Sequence, residues 1–214
     1  IDNILLNEAN IEGERWMRIL GGQLITIQSE LFTHLENLEK QKSEANFDGI
    51  IAFIQKHFDP NYTIKSSGKM PYQILYDYLY RPIRICGMIP NEGAKGGGPF
   101  WKKDARGKSL QIIESVELDL NNPDHQKAID QSSHFNPVMM VCGITDHNGE
   151  KFSLYEFRDE KRFMVSQKTD GASTIKILEW PGLWNGGMAA WNTLFVEVPS
   201  ETFNPVKTIA DLIR

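Results

Sequence analysis

Four polar residues lie inside or beside apolar stretches of the sequence: Asp2, Glu114, Asn136 and Lys207. Glu114 falls in the strand-like run 110–118. A buried glutamate without a partner is costly, so its carboxylate either faces solvent or meets a ligand in a cleft. Lys207 falls in the first turn of a predicted helix, where the helix dipole disfavours a cation unless an anion is near. Each residue alone fits an ordinary structural role, but the four in this order indicate a ligand site.

A glycine-rich segment covers residues 91–99 and includes Gly96, Gly97 and Gly98. Backbone amides in such a segment can approach a phosphate closely because glycine has no side chain. Further positive charge would come from Lys95, Lys102, Lys103 and Arg106. No Gly-Lys-Ser/Thr follows and no helical pattern comes next, which excludes a Walker loop and a dinucleotide fingerprint. The favoured alternative is a flexible hairpin between two strands, since glycine clusters are common in loops.

The other reactive side chains give weaker signals. The histidines show no zinc-ligand spacing, and the sequence has no Gly-x-Ser-x-Gly elbow. Cys86 and Cys142 fall in apolar strand candidates, so we expect both thiols to be buried and unreactive. Trp180, Trp184 and Trp191 flank a Pro-Gly-Leu-Trp-Asn-Gly segment that could hold a sugar or a base. Core packing, or contact with another domain, is the favoured interpretation of this cluster.

The elements that must position these residues begin with a helical unit over residues 14–80. From about Glu14 to Ser43, apolar residues recur every three or four positions, which predicts a long helix. Gly21 and Gly22 interrupt it and predict a bend or close helix packing. Two shorter helical stretches follow before residue 80.

Residues 81–214 carry mostly strand-like patterns. Strands are predicted at 83–89, 110–118, 138–145, 151–157, 174–180 and 194–198. His147-Asn148-Gly149 supplies hairpin chemistry between the third and fourth of these runs. The pattern therefore predicts a mixed sheet.

Two helices are predicted within the sheet region. One covers 123–132 and is capped by Asn122. The other starts at Asn204-Pro205 and turns Val206 and Ile209 inward. The predicted fold class is therefore α/β, with a mixed sheet and interspersed helices after the helical unit.

The composition excludes several classes of protein. A chain of 214 residues that is 41% hydrophobic fits a globular domain. A net charge of −5, from 23 basic and 28 acidic residues, disfavours a nucleic-acid role built on a global positive field. The uninterrupted apolar runs, of which Val138 to Cys142 is among the longest, are too short to span a bilayer. Two cysteines fit a reducing compartment, so we expect a cytoplasmic protein without nucleic-acid or membrane partners.

Several segments resemble motifs of UDP-sugar pyrophosphorylases. The run Phe203-Asn204-Pro205-Val206-Lys207-Thr208, followed by an Asp-Leu pair, closely resembles a motif of UDP-glucose pyrophosphorylases. The start, Ile1-Asp2-Asn3-Ile4-Leu5, resembles a segment of UDP-N-acetylhexosamine pyrophosphorylases. The segment 85–114 looks like a strand pair of these families, and His134-Phe135-Asn136 is similar to their Phe-Asn pair.

This resemblance implies a role for each polar residue. Lys207 would meet the phosphates of a nucleotide sugar, and Asp2 would lie at the metal and phosphate site and help to hold Mg²⁺. Glu114 and Asn136 would bind the sugar, and we expect Gly97 to lie at the substrate. The implied activity joins a sugar 1-phosphate to a nucleoside triphosphate and releases pyrophosphate.

The whole run, including Gly-Gly-Gly-Pro-Phe-Trp at 96–101, is also similar to the C-terminal part of an uncharacterised bacterial family, domain of unknown function 4301. Together the resemblances imply the C-terminal half of a nucleotide-diphospho-sugar transferase-like (GT-A-like) domain, with 14–80 as a helical insertion. The chain begins with Ile1 and not with Met. We therefore expect a fragment that is inactive alone and whose partner is the missing N-terminal half of the same protein.

Two other functions stay open at this point. Pro137 follows Asn136, where the better-known families place a glycine a residue or two later, and this favours a binding module that has lost the chemistry. The helical unit and the tryptophan cluster are compatible with an interaction or scaffold protein.

Overall fold

A computed structural model describes most of the chain. It covers residues 2–3, 11–65, 68–93, 96–104, 107–171, 173–183, 186–206 and 208–210. For Asp2, Asn3, Glu44, Asp104 and Asn136 the description covers the backbone alone. The helices are α1 (Ile11–Gln41), α2 (Phe47–His57), α3 (Pro71–Leu79) and α4 (Pro123–Asp130). The strands are β1 (Asp2–Asn3), β2 (Ile83–Pro90), β3 (Gly98–Asp104), β4 (Gly107–Ile113), β5 (His134–Gly143), β6 (Met164–Asp170), β7 (Ser173–Glu179), β8 (Asn192–Glu197) and β9 (Pro205–Val206).

The long helix predicted near the start is confirmed as α1. The apolar residues at three- and four-residue spacing are buried: Leu20, Leu24, Ile27, Leu31, Leu35 and Leu38. α1 runs through Gly21 and Gly22. The prediction of close helix packing at these glycines was wrong, because a Cβ on either would meet nothing within 4 Å. None of the helices in the described ranges combines the length and the apolar character needed to cross a bilayer.

The central sheet has the strand order β5-β2-β8. β2 pairs antiparallel with β5 and parallel with β8, and seven of its eight residues are buried. Ile83, Ile85 and Ile89 share a core with α1, whereas Cys86 and Met88 pack in a second cluster with residues of β4 and β5. The predicted α/β class with a mixed sheet is therefore confirmed, and the antiparallel pairs β3–β4, β6–β7 and β1–β9 accompany it.

The predicted strand 110–118 is shorter than expected. β4 ends at Ile113, and a 3-10 turn covers Ser115–Glu117. Glu114 therefore lies just beyond the strand and not inside it. The chain leaves the strand here because the Glu117 carboxylate accepts a hydrogen bond from the Glu114 backbone N–H at 2.9 Å and so stabilises the turn.

The return strand predicted at 151–157 is wrong beyond its first residue. A single bridge joins Thr145 to Lys151, and a 3-10 turn covers Leu154–Phe157. The Phe157 carbonyl accepts a hydrogen bond from the Ala190 backbone N–H at 2.9 Å, so this segment follows a distant loop and not the neighbouring strand.

The two predicted helices of the sheet region have different outcomes. The polar helix is confirmed as α4, where the Asn122 side chain accepts a hydrogen bond from the Asp124 backbone N–H at 2.9 Å. The helix predicted from Asn204-Pro205 is wrong at its start, because Pro205–Val206 form β9 and pair with β1. Ile209, expected to face inward, is 82% exposed.

Candidate functional site

The carboxyl ends of β2 and β8 lie side by side at one end of the central sheet. The parallel register there places Met88 opposite Glu197. β5 runs the other way, so its first residues reach the same end, where His134 lies opposite Pro90. The backbone of Asn136 belongs to this part of β5. Ligands of α/β sheets commonly bind beyond the carboxyl ends of parallel strands.

The glycine segment joins this end of the sheet. Gly98 pairs with Ile113, so Gly97 and Glu114 directly flank a paired position of the β3–β4 hairpin. A Cβ on Gly98 would lie 2.8 Å from the His134 carbonyl oxygen, which means that only glycine allows this approach of β3 to β5. The flexible hairpin predicted between the strands at 83–89 and 110–118 was therefore wrong: in the described residues β4 pairs with β3 and not with β2.

The β1–β9 pair brings the first described residues to the last strand. Asp2 lies opposite Val206, the residue before Lys207, and Asn3 lies opposite Pro205. The ring centroids of Phe135 and Phe203 are 5.8 Å apart, so the segment that leads into β9 contacts the start of β5. Lys207 and the side chains of Asp2 and Asn136 lie outside the described structure.

The Glu114 side chain is half-buried at the end of β4. The Glu114 backbone N–H donates to Glu117 Oε2 at 2.9 Å, which fixes the residue at the start of the turn. Burial raises the pKa of Glu114, and the negative charge of Glu117 raises it further, whereas Arg162 opposes the shift. A half-buried carboxylate at this position is able to accept hydrogen bonds from a ligand.

A buried ion pair that the sequence pattern did not reveal stabilises this region. Arg162 donates to Glu117 from Nε at 2.8 Å and from Nη2 at 2.6 Å. Arg162 Nη2 also donates to the Ile112 carbonyl at 3.0 Å. The two partners are 45 residues apart in the chain, so no local pattern could have joined them.

The sequence analysis also missed a hydrogen-bonded group around His134, at the end of the sheet where β2 and β8 finish. His134 Nε2 is 3.0 Å from Glu197 Oε2, and His134 Nδ1 is 2.8 Å from Ser133 Oγ. The ring is thus held between a hydroxyl and a carboxylate at the edge where β2 and β8 end. Its position directly before the Phe-Asn pair was the available sequence signal.

Other features lie elsewhere. Lys102, expected to add charge near the glycines, pairs with Asp159 at 3.0 Å. Trp191 is buried, as the packing interpretation predicted, whereas Trp180 is 65% exposed.

The described side chains include no group of three or more His, Cys, Asp and Glu that could hold a metal ion. Of the described residues, none of the predicted site residues lines the two cavities, of about 40 and 400 Å³.

A family model, Domain of unknown function (DUF4301), matches residues 1–214. The chain belongs to this family. The resemblance noted from the sequence to that domain is therefore confirmed. No curated protein matches the DUF4301 chain.

Solved structures similar to the DUF4301 chain include UDP-glucose pyrophosphorylases. A mutant enzyme from Leishmania major in complex with UDP-glucose is 18% identical with a TM-score of 0.37, over 77% of this chain and 38% of that chain. The open and closed structures of the L. major enzyme are 20% identical with a TM-score of 0.35, over 71% of this chain and 34% of that chain. UDP-glucose phosphorylase from Trypanosoma brucei is 19% identical with a TM-score of 0.39, over 77% of this chain and 37% of that chain. The chain thus spans well under half of each protein, and TM-scores at this level do not establish a common fold.

Proposed function

We propose that this chain is the sugar-phosphate-binding part of a sugar-1-phosphate nucleotidyltransferase. The observation that carries the proposal is the ordered occurrence of Asp2, Glu114, Asn136 and Lys207 in motifs similar to those of UDP-sugar pyrophosphorylases. Support comes from the backbone: the start of β5 and the β3–β4 hairpin lie near the carboxyl ends of β2 and β8, and a ring contact joins the segment before β9 to the start of β5.

The proposed reaction is an in-line displacement at phosphorus. An oxygen of the sugar 1-phosphate attacks the α-phosphorus of a nucleoside triphosphate, a P–O bond forms, and the bond to the β-phosphate oxygen breaks to release pyrophosphate. Such chemistry depends mainly on positioning and on neutralisation of charge. Lys207 neutralises phosphate charge, and Glu114 and Asn136 bind sugar hydroxyl groups, with Gly97 beside them.

Mg²⁺ is the metal that this proposal includes. Proteins usually hold Mg²⁺ through one or two carboxylates while substrate phosphates supply further oxygen ligands, so a single carboxylate such as that of Asp2 fits the ion. When bound, the ion neutralises phosphate charge. Asp2 is the residue of this chain that we propose to hold it.

The proposed architecture is the C-terminal half of a GT-A-like domain. In this proposal α1 to α3 belong to a helical insertion over 14–80, and the N-terminal half of the protein supplies the nucleotide-binding loop. The mixed sheet, with the parallel pair β2–β8 at the candidate site, supports this arrangement.

The test is pyrophosphate release by the full-length protein with Mg²⁺ and a panel of sugar phosphates and nucleoside triphosphates. We expect turnover with at least one pair, and a loss of at least about tenfold in kcat/KM for Lys207→Ala and for Glu114→Gln, since the first removes a cation from the phosphates and the second replaces a charged acceptor with a neutral one. Lys176→Met and Glu201→Gln, which change exposed residues, are the matched controls. Absence of turnover across the whole panel contradicts the catalytic proposal.

A sugar-nucleotide-binding module without catalysis is the second candidate. Pro137 favours it, because this residue is buried in β5 directly after Asn136 and has no backbone N–H to offer a ligand. Calorimetry with UDP-glucose separates the two functions. Binding without turnover supports the module, and turnover excludes it.

A further inference from the structure

A small cavity lies at the opposite end of the central sheet from the candidate site. Its volume is about 40 Å³, and its lining includes Tyr78, Gln111 and Thr193. The parallel register places Ile83 opposite Asn192 at this end and Met88 opposite Glu197 at the other. Five residues of strand separate the two ends by about 17 Å at about 3.3 Å per residue. The cavity is therefore separate from the candidate site, and it has room for more than one water molecule.

The charged residues that line this cavity are cationic in the part of the chain that the structure describes. They are Arg81 and Lys108, and no described lining residue is Asp or Glu. Behind the lining lies Arg84, which is 2% exposed and donates from Nε to Thr193 Oγ1 at 3.0 Å and from Nη1 to Met188 Sδ at 3.1 Å. Among the described residues no carboxylate pairs with Arg84. Burial lowers the pKa of Arg84. A buried cation without a counter-charge is costly, so the cavity favours an anion.

An unsatisfied donor is present in the same lining. Trp191 is 5% exposed, and its buried Nε1 has no hydrogen-bond partner in the part of the chain that the structure describes. The indole N–H can only donate, and buried donors in proteins normally have an acceptor. The nearby Thr193 hydroxyl is already engaged, since it accepts from Arg84 and donates to the Trp191 carbonyl at 3.3 Å. Within the described residues this donor is therefore left without an acceptor.

We propose that this cavity binds an oxyanion of the phosphate class. The Trp191 indole N–H donates to one oxygen, Lys108 and Arg81 neutralise the charge, and Arg84 adds positive potential from behind. The ligand is a free phosphate or the phosphate of a monoester, since both present the same oxygens. The site is independent of the proposed nucleotidyl transfer, because it lies at the other end of β2 and β8.

The test is calorimetric titration of the full-length protein with inorganic phosphate at constant ionic strength. We expect wild-type protein to bind, and Lys108→Met and Trp191→Phe to bind about tenfold more weakly, since each loses one charge-assisted contact. Lys103→Met is the matched control: Lys103 pairs with Lys108 across the hairpin, is exposed, and does not line the cavity. We expect its affinity to equal that of wild type.

Two further measurements distinguish a free phosphate from a phosphate monoester, and this cavity from the candidate nucleotidyltransferase site. Tighter binding of phosphate than of glycerol phosphate identifies the free ion, and the reverse order identifies a monoester; either result supports the proposal. Lys207→Ala, which alters the candidate nucleotidyltransferase site, should leave phosphate affinity unchanged. The proposal is overturned if wild type does not bind phosphate, if acetate binds as tightly, if Lys103→Met weakens binding as much as Lys108→Met, or if Lys207→Ala alone abolishes binding.

Discussion

Arg162 and Glu117 form a two-bond ion pair in which the Arg162 side chain is 7% exposed and the Glu117 side chain 12% exposed. Because Glu117 also accepts from the Glu114 backbone N–H, and Arg162 also donates to the Ile112 carbonyl, the pair holds the end of β4 in place. The position of Glu114 at the candidate site therefore depends on this ion pair.

Removal of the guanidinium should destabilise the fold. In Arg162→Met the Glu117 carboxylate would remain buried without its counter-charge, and we expect a loss of about 3–5 kcal/mol in the free energy of unfolding. Urea denaturation measures this loss. Lys40→Met is the control: it removes the exposed ion pair with Glu36, for which we expect no measurable change. Equal stability of the two variants would show that the buried pair contributes nothing.

Gly98→Ala tests the close approach of β3 to β5. The new Cβ would lie 2.8 Å from the His134 carbonyl oxygen, so one backbone has to move, and we expect a loss of about 1–3 kcal/mol. Gly22→Ala is the matched control, because its Cβ meets nothing within 4 Å in α1. Alanine is a better helix former than glycine, so this variant should gain up to about 1 kcal/mol. Urea denaturation of both variants should therefore give opposite signs.

The stability contribution of Glu114 should depend on pH. Its pKa is raised in the folded protein, first by burial and then by Glu117, so folding favours the protonated form. The resulting stabilisation is present at low pH and is lost as the pH rises through the folded-state pKa. Glu114→Gln cannot ionise, so its stability relative to wild type should increase between pH 4 and pH 7. Urea denaturation at both pH values checks this, with the exposed Glu201→Gln expected to show no such trend.

The two thiols should differ in reactivity. Cys86 is fully buried, and burial raises its pKa to about 12, so this thiol should not react in the folded protein. Cys142 was expected to be buried but is exposed, and partial burial of its thiol raises its pKa. A thiol-specific reagent should therefore modify Cys142 slowly in the native protein. In urea it should modify both Cys86 and Cys142. A native Cys142→Ser protein that still reacts would contradict the assignment.

The accuracy of sequence-based prediction here followed the range of the interactions involved. α1 was predictable because its periodicity requires only that one face be buried, and α4 because its Asn122 cap is local. β3 and β6 were not predicted, since their polar residues do not mark a strand until β4 and β7 pair with them. Local propensity failed similarly at Pro205–Val206, where pairing with β1 prevails over the helix-start signal.

By itself the sequence determined the α/β class, the helical first third, the buried strand β2 and the order of the four polar motifs. Tertiary structure alone decided that β1 pairs with β9, that Glu114 lies beyond its strand, and that Arg162 pairs with Glu117. The physical reason is that patterns along the chain report which faces are buried, whereas register and ion pairing depend on partners tens of residues away, which only the folded chain brings into contact.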